Sequence, residues 1–352
     1  MKDHVPRCAV LFLLVLAPGI CAGEMGCYFY RPQPYGSEAF YNPWNNVFAY
    51  TFDTVQLTDN FDTQDMSERW DTVLDHLTHP GDAIDEDGGT RAFVNRQIFP
   101  LGGEDHSDRY CMTPNYFLHL FGGGLVYRKD AEYFQQKGIP APRACSAILA
   151  MAGEIVQEVI EKKSTTSDDE VADVLIFRPL GILLFSSDMV AGFVETHLCP
   201  AVWPHLLLYD VNDETLLNAG MNYVIRPNLL GCESVRLFSF IGMNNMIGLS
   251  HRISPETSLS WGLGLATCRV DLSRDIPAEF RYSGGVFYDR NNSLLWSVII
   301  NGTENLKVRL NVYPTAKPIW NKLGFFAGLT DDRKTALGIT FNFPFGMGVS
   351  FH

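Results

Sequence analysis

The C-terminal end of the chain alternates strictly between large apolar residues and small or polar ones. Glycine, Thr340, Asn342, Pro344 and Ser350 fill the even positions there. The odd positions hold only large apolar side chains: Leu337, Ile339, Phe341, Phe343, Phe345, Met347, Val349 and Phe351. Because successive side chains of a β-strand point to opposite faces, this pattern predicts strands with one large apolar face and one small or polar face.

The same alternation recurs upstream, over 259–265 and 306–312, with turn residues between the segments. Two folds fit such a sheet. A soluble β-sandwich buries the apolar face in a dry core, whereas a transmembrane barrel turns that face towards lipid. We favour the barrel, because the glycine-rich face suits the narrow lumen of a small barrel. Residues 201–352 would then form about eight antiparallel strands. A secreted soluble β-sandwich is the alternative.

The last residues also resemble the C-terminal strand signal of bacterial outer-membrane proteins, in which alternating apolar residues end in a terminal aromatic. Here Phe351 is followed by His352, so the resemblance is incomplete.

The N-terminus has the features of a secretory signal peptide over residues 1–23. Lys2 and Arg7 precede the apolar run 9–16, and Ala22 and Gly23 are small enough for cleavage. Six cysteines remain after that segment, so either disulfides or isolated thiols are expected.

The net charge differs sharply between two parts of the chain. Residues 24–200 carry 27 acidic and 12 basic residues, a net charge of -15, whereas residues 201–352 carry 12 acidic and 13 basic residues, a net charge of +1. The overall charge of -13 excludes a nucleic-acid binder that depends on global positive charge, and a composition that is 46% hydrophobic excludes a disordered chain. We therefore expect an acidic loop-rich segment at 24–112, a three-helix block at 113–200 and the strands at 201–352.

Local signals predict the helices. We expect a helix over 63–77, a loop at 82–89, and three helices in the block, beginning near Thr113, Arg143 and Asp169. Ser167 and Glu170 would form a capping box for the third helix, and Pro179 would kink it. Three glycines at 122–124 indicate that another backbone packs closely there.

Polar residues recur at a spacing of four on these helices, which places both members of each pair on one face. The pairs are Asn115 with His119, Glu154 with Glu158, and Asp169 with Asp173. The functional interpretation is a metal or acid–base site, with His119, Glu154 and Glu158 as candidate metal ligands. The alternative is a structural network of ion pairs, with Arg128, Arg143 or Arg178 as the cation.

This order of residues, Asn115…His119, Glu154-x3-Glu158, Ser167-x-Asp169-x3-Asp173 and Gly181, resembles the helical core of the VanZ-like proteins and of related bacterial envelope lipoproteins. The resemblance covers about 70 of the 352 residues. It implies an architecture in which a helical block precedes a C-terminal barrel, and it implies no reaction.

An outer-membrane lipid hydrolase is the enzymatic alternative, with Ser250 and His251 as candidate catalytic residues. Their adjacency in sequence does not show that they converge in space. The chain contains neither GxSxG nor HExxH, and no cofactor is required by the sequence.

These observations lead to one expectation. The chain is an α+β protein with a helical N-terminal block and a C-terminal antiparallel β-barrel, located in the bacterial outer membrane. Its role would be structural or an envelope interaction, with outer-membrane lipid as a partner, an envelope protein as a second candidate partner, and no nucleic acid.

Overall fold

The computed structural model describes residues 25–53, 55, 65–100, 113–162, 167–270, 278–302, 306–316, 322–330, 333–341 and 345–352. The expected signal peptide lies outside these residues. The chain divides into two compact units. The helical unit contains the described residues of Met1–Tyr30 and Asp62–Ala191, and the sheet unit contains those of Arg31–Phe61 and Gly192–His352.

Eight helices are present in the described part of the chain. They are α1 (Pro43–Thr51), α2 (Met66–Thr78), α3 (Pro80–Glu86), α4 (Gly89–Phe93, continued by a π-helical turn Val94–Ile98), α5 (π-helical Thr113–Gly122, then α-helical Gly123–Gln136), α6 (Pro142–Glu161), α7 (Asp169–Phe185, π-helical at Asp173–Phe177) and α8 (Asp188–Leu198). A short 3₁₀ turn, Ser37–Phe40, precedes α1.

The described residues of 113–198 contain four helices, α5–α8, where the sequence predicts three, and two local expectations differ from the structure. The third helix does not break at Pro179, because the π-helical turn just before it accommodates the missing N–H. It breaks instead at Ser186 and Ser187, between α7 and α8. The expected capping box does not form, because the Glu170 carboxylate contacts Lys162 Nζ (2.6 Å) and His76 Nδ1 (2.5 Å) instead.

The acidic segment is more helical than expected. The loop predicted at 82–89 is mostly α3, which Pro80 begins at the first helical position, where its missing N–H costs nothing. The predicted helix over 63–77 is present as α2, with Val73 and Leu77 buried and Trp70 and Leu74 exposed.

The sheet unit contains thirteen strands among its described residues. They are β1 (Ala201–Val202), β2 (Leu208–Asp210), β3 (Thr215–Leu217), β4 (Tyr223–Ile225), β5 (Val235–Ile241), β6 (Asn244–Arg252), β7 (Thr257–Val270), β8 (Ala278–Arg290), β9 (Ser293–Ile300), β10 (Leu306–Val312), β11 (Gly324–Thr330), β12 (Thr335–Thr340) and β13 (Gly346–Phe351). From β4 to β13 each strand pairs antiparallel with the next one in the chain.

The expected closed barrel of about eight strands is wrong. The strands form one curled sheet in the order β1-β4-β5-β6-β7-β8-β9-β10-β11-β12-β13-β2-β3, and β5 and β13 do not pair with each other. Residues 201–225 form a hairpin instead, in which Ala201 pairs with Val224 and Leu208 with Leu217. Its β4 pairs with β5, and its β2 pairs in parallel with β13. The margins of the long strands are therefore hydrogen-bonded to one hairpin rather than to each other.

The inner side of the sheet packs on this hairpin and on the segment before α1. The largest cluster of buried apolar residues there includes Phe40, Trp203, Leu206, Phe238, Phe287 and Tyr313. Gly338 allows the approach, because a Cβ atom there would lie 2.3 Å from the Leu208 side chain. This core therefore lies between the strands and the inserted hairpin.

On β12 and β13 the large apolar residues point outwards, as the barrel interpretation predicts. On β13, Met347, Val349 and Phe351 are exposed, while Gly346, Gly348 and Ser350 are buried. On β12, Leu337 and Ile339 are likewise exposed. On these two strands the large apolar side chains therefore lie on the outer face, whereas on β5 the aromatic side chains Phe238 and Phe240 are buried on the inner face.

Among the helices that the structure describes, none is by itself long and apolar enough to cross a membrane; α7 and α8, bent by 87° relative to each other, reach that length and composition only as a pair.

Candidate functional site

The helical unit gathers charged side chains from three helices into its interior. His119 comes from α5, Glu154 and Glu158 from α6, and Asp173 from α7, and all four are at least nine-tenths buried. Arg178 of α7 joins them and is also buried. Four of the six predicted cluster residues therefore converge, and Arg178 is the cation among the three arginines considered.

Glu154 is the centre of this buried cluster. Its Oε1 lies 2.5 Å from His119 Nδ1, and its Oε2 accepts hydrogen bonds from Nε of Arg178 at 2.6 Å and from a terminal nitrogen of the same guanidinium. His119 Nε2 lies 3.6 Å from Asp173 Oδ2. One buried carboxylate thus faces two cationic groups. Their attraction offsets the free-energy cost of removing each charge from water.

Mutual attraction shifts the pKa values of these two partners. Burial alone would lower the pKa of His119, but the negative charges of Asp173 and Glu154 outweigh burial and raise it to about 9. Burial alone would raise the pKa of Glu154, but Arg178 and His119 lower it to about 2. His119 is therefore an imidazolium at neutral pH, and Glu154 is a carboxylate.

The other two carboxyl groups are shifted the opposite way. Burial raises the pKa of Asp173, although His119 partly offsets it. Burial and the nearby Asp173 carboxyl raise the pKa of Glu158 well above its usual value. Asp173 Oδ1 is buried and has no hydrogen-bond partner among the residues that the structure describes. The cluster can therefore hold a proton on its Asp173 and Glu158 side.

Asn115 and Asp169 lie in a neighbouring network rather than in this cluster. Asn115 Nδ2 donates to the backbone oxygen (3.1 Å) and the side-chain oxygen (3.0 Å) of Gln97, and Gln97 Nε2 donates to Asp169 and Asp168. Arg96 completes this network with a bond of 2.8 Å to Asp168. Gln97, Arg96 and Asp168 were not predicted from the sequence, because none of them has a partner at helical spacing.

Close helix packing holds the cluster in place. A Cβ atom on Gly181 would lie 2.4 Å from the Leu120 backbone oxygen, and one on Gly124 would lie 2.8 Å from the Gly181 oxygen. A Cβ on Gly123 would collide with the Arg178 guanidinium. The predicted close approach at 122–124 is confirmed, and it lets Arg178 reach Glu154.

The catalytic pair Ser250 and His251 is not assembled. Ser250 is buried on the inner side of β6, where its Oγ accepts a hydrogen bond of 2.9 Å from Ser260. His251 is exposed, because adjacent residues of a strand point to opposite faces. The two side chains therefore cannot act on one substrate.

Metal ligation by His119, Glu154 and Glu158 stays a prediction. Within the described ranges, no group of three or more His, Cys, Asp or Glu residues has an arrangement that could hold a metal ion. Cys27, Cys145, Cys199 and Cys232 are free thiols. What the geometry supports chemically is an internal ion network that carries an exchangeable proton.

We expect the stability of the helical unit to fall as pH rises from about 6.5 to 9. The pKa of His119 is raised in the fold, so the stability it contributes is complete below its unfolded pKa and is lost as pH rises through about 9. The raised pKa of Asp173 acts in the same direction above its own unfolded value. Glu154 acts oppositely, but its contribution is lost only as pH falls below about 4.5 towards 2.

The measurement is hydrogen exchange of α6 and α7 amides at pH 6, 7.5 and 9, corrected for intrinsic exchange rates. Asp173→Asn mimics the protonated side chain and should flatten the decline, whereas Asp75→Asn, on the exposed surface of α2, should leave it unchanged. Protection that stays constant or increases up to pH 9 in the wild type would contradict the assignment.

The chain matches no protein-family model, and comparison with curated proteins and with solved structures finds no similar protein.

Proposed function

We propose that the sheet unit is embedded in a bacterial outer membrane, with the outer face of β5–β13 in contact with lipid, and that the protein has a structural or interaction role in the cell envelope. The observation that carries this proposal is the apolar outer face of the sheet: large apolar side chains point outwards along the middle of β5–β13, while the inner side holds buried polar groups beside the apolar core.

The outer face is continuous across neighbouring strands. Register places Ile247 of β6 opposite Leu263 of β7, and Leu337 of β12 opposite Val349 of β13. Along the middle of β5–β13 the described outward positions carry no Asp, Glu, Lys or Arg: Leu237, Ser239, Ile247, Leu249, Trp261, Leu263, Leu265, Val286, Tyr288, Trp296, Val298, Leu310, Ala327, Leu337, Ile339, Met347 and Val349. An apolar band of this extent on a water-exposed surface would be a strong aggregation liability.

The inner face carries buried polar groups beside its apolar core. Asn218 donates a hydrogen bond of 2.7 Å to Asn311, and Arg309 donates one of 3.4 Å to Asn218. Elsewhere on the same side, Arg226 pairs with Asp289 at 2.8 Å. Buried polar groups that satisfy each other inside a strand cage, with apolar groups outside, are typical of membrane-embedded sheets.

Edge pairing and the length of the longest strands also support the proposal. A tilted membrane strand needs about 9–11 residues; β6, β7 and β8 reach this length with 9, 14 and 13 residues, whereas the other six strands of β5–β13 have 6–8 residues. Unpaired strand edges are costly in lipid. Both margins of β5–β13 are hydrogen-bonded to the hairpin 201–225.

The filled interior favours a structural or interaction role over transport. Phe40, Trp203 and Tyr313 occupy the inner side of the sheet. The hydrolase alternative has no support at Ser250 and His251, which face opposite ways. A soluble β-sandwich would bury the apolar face that is exposed here.

Quenching of tryptophan fluorescence by lipids with brominated acyl chains tests lipid contact directly. Trp261 is exposed on the band, whereas Trp44 is exposed on α1, outside the strands. In phosphatidylcholine vesicles we expect the full-length protein to be quenched, Trp261→Phe to lose a clear fraction of that quenching, and Trp44→Phe to retain it. Quenching that is absent, or unchanged in Trp261→Phe, would overturn the proposal.

A further inference from the structure

The helical unit holds its own N-terminal segment, residues 25–30, by the main chain. This segment forms neither helix nor strand and bends at Tyr28 and Phe29. The N–H groups of Tyr28, Phe29 and Tyr30 all donate to the Glu132 carboxylate, at 3.0, 2.8 and 2.8 Å. Successive N–H groups that converge in this way form a concave anion site, called a nest. Here the anion is a fully buried side chain of α5.

Other side chains of α5 bind the main chain of the segment as well. The Gln135 amide binds Met25 twice: its Oε1 accepts from the main-chain N–H at 3.1 Å, and its Nε2 donates to the main-chain oxygen at 2.8 Å. Nη2 of Arg128 donates to the Gly26 oxygen at 2.6 Å. Spacings of three and four residues place these side chains on one face of the helix. We call that face the α5 peptide site: Arg128, Glu132, Gln135 and Gln136.

The side chains of the segment are anchored at both of its ends. Met25 and Tyr30 are buried, and the Tyr30 ring packs edge to face on Tyr133 of α5, with 5.2 Å between the ring centroids. In peptide recognition, main-chain hydrogen bonds provide affinity and pockets for side chains provide specificity. The contacts of residues 25–30 with α5 divide in the same way.

The buried carboxylate of the site requires donors from outside the helix. A carboxylate accepts about four hydrogen bonds. Within the described part of the chain, the bond to Glu132 that does not come from the segment is donated by Nε of Arg128, at 2.9 Å. Without residues 25–30, Glu132 would lose three of these four bonds, and a buried acceptor without partners is costly. The site is therefore complementary to a peptide that offers converging N–H groups.

We propose that the α5 peptide site is a binding site for a short bent peptide, and that residues 25–30 occupy it as a ligand that the chain itself carries. The ligand class is a peptide with three successive main-chain N–H groups, none of them removed by proline, between methionine and tyrosine side chains. The expected signal peptide ends at residue 23, so the site would hold the N-terminal end of the exported chain against α5. All of these contacts lie within the helical unit, so the inference does not depend on lipid contact by the sheet.

Binding of a synthetic peptide to the full-length protein tests the inference. The protein carries Phe29→Pro, which removes one N–H donor from the attached segment and leaves α5 unchanged. The peptide spans residues 24–31 with Cys27→Ser and a fluorescent label, and its binding in detergent is followed by fluorescence anisotropy. We expect it to bind Phe29→Pro at least tenfold more tightly than the wild type, in which the attached segment competes at an effective concentration of roughly millimolar order.

Two matched controls isolate the main-chain donors. A peptide N-methylated at Phe29 and Tyr30 keeps every side chain but lacks two N–H groups, so it should bind Phe29→Pro at least tenfold more weakly. Phe29→Ala removes the ring from the attached segment but keeps its N–H, so this protein should exclude the peptide as the wild type does. The inference is overturned by equal affinity for the two peptides, by no binding of the unmodified peptide to Phe29→Pro, or by equally tight binding to Phe29→Ala.

Hydrogen exchange of the wild-type protein gives a second readout that does not depend on the folding of a variant. An excess of the unmodified peptide should displace residues 25–30 and speed exchange of the Tyr28, Phe29 and Tyr30 amides at least twofold, whereas the N-methylated peptide should not. Exchange that the unmodified peptide leaves unchanged would contradict a displaceable segment, even where Phe29→Pro fails to fold.

Discussion

Leu263→Arg should abolish stable assembly of the protein in the membrane. Leu263 lies midway along β7, opposite Ile247, and its side chain is 67% exposed. An arginine at the centre of a lipid-facing strand costs roughly 2–4 kcal/mol. The same change on a water-exposed surface is usually worth less than about 0.5 kcal/mol. A lipid-facing sheet and a water-exposed sheet therefore predict very different results for Leu263→Arg.

The readout is the fraction of protein that resists carbonate extraction from membranes and shows heat-modifiable mobility in gels. His251→Arg is the matched control: it introduces the same side chain on the exposed face of the neighbouring strand, but near its end, where the cost falls towards 0–1 kcal/mol. We expect His251→Arg to assemble like the wild type. Normal assembly of Leu263→Arg would show that the apolar band does not contact lipid.

Glu154→Gln should destabilise the helical unit by about 3–5 kcal/mol. The change replaces the one carboxylate that faces both His119 and Arg178 with a neutral amide, so these buried cations lose their shared anionic partner. Since a domain is stable by only about 5–15 kcal/mol, the loss would be a large share of the total. Denaturant unfolding of detergent-solubilised protein, followed by circular dichroism, measures the change.

Two further variants serve as controls for the Glu154→Gln measurement. Asp75→Asn breaks an exposed contact with His79 and should be nearly silent, because surface ion pairs contribute little. The double variant Glu154→Gln/Arg178→Met also removes the buried guanidinium that Glu154 faced, and it should recover part of the loss. A loss below about 1 kcal/mol in Glu154→Gln, or no recovery in the double variant, would contradict a charge network centred on Glu154.

The parts of the fold that local patterns encode were predictable. A period of two encodes which side chains share a face, so it follows from sequence alone that Met347 and Val349 lie on one face and Ser350 on the other. A period of four placed Glu154 and Glu158 on one helical face for the same reason. The adjacent glycines predicted a close contact between backbones, and Gly124 makes this contact with Gly181.

Errors arose where several local signals compete. Asp82, Asp85 and Glu86 suggested a loop because acidic residues are polar, yet Pro80 begins a helix whose exposed face they occupy. Glu170 had the spacing for a capping box, but His76 and Lys162 compete for its carboxylate and prevail. Those partners come from other helices, and neither could be read from the residues around Glu170.

The sequence by itself determined which side chains of a strand share a face, the positions of most helices and the presence of paired polar residues on them. Only the tertiary structure decided that the margins of the sheet meet one hairpin rather than each other, and that Arg178 rather than Arg128 or Arg143 neutralises Glu154. The physical reason is the distance along the chain over which each feature is determined. Side-chain direction repeats with the local backbone geometry, whereas the partner of a strand edge or a buried charge depends on which distant segments the folded chain brings within hydrogen-bonding distance.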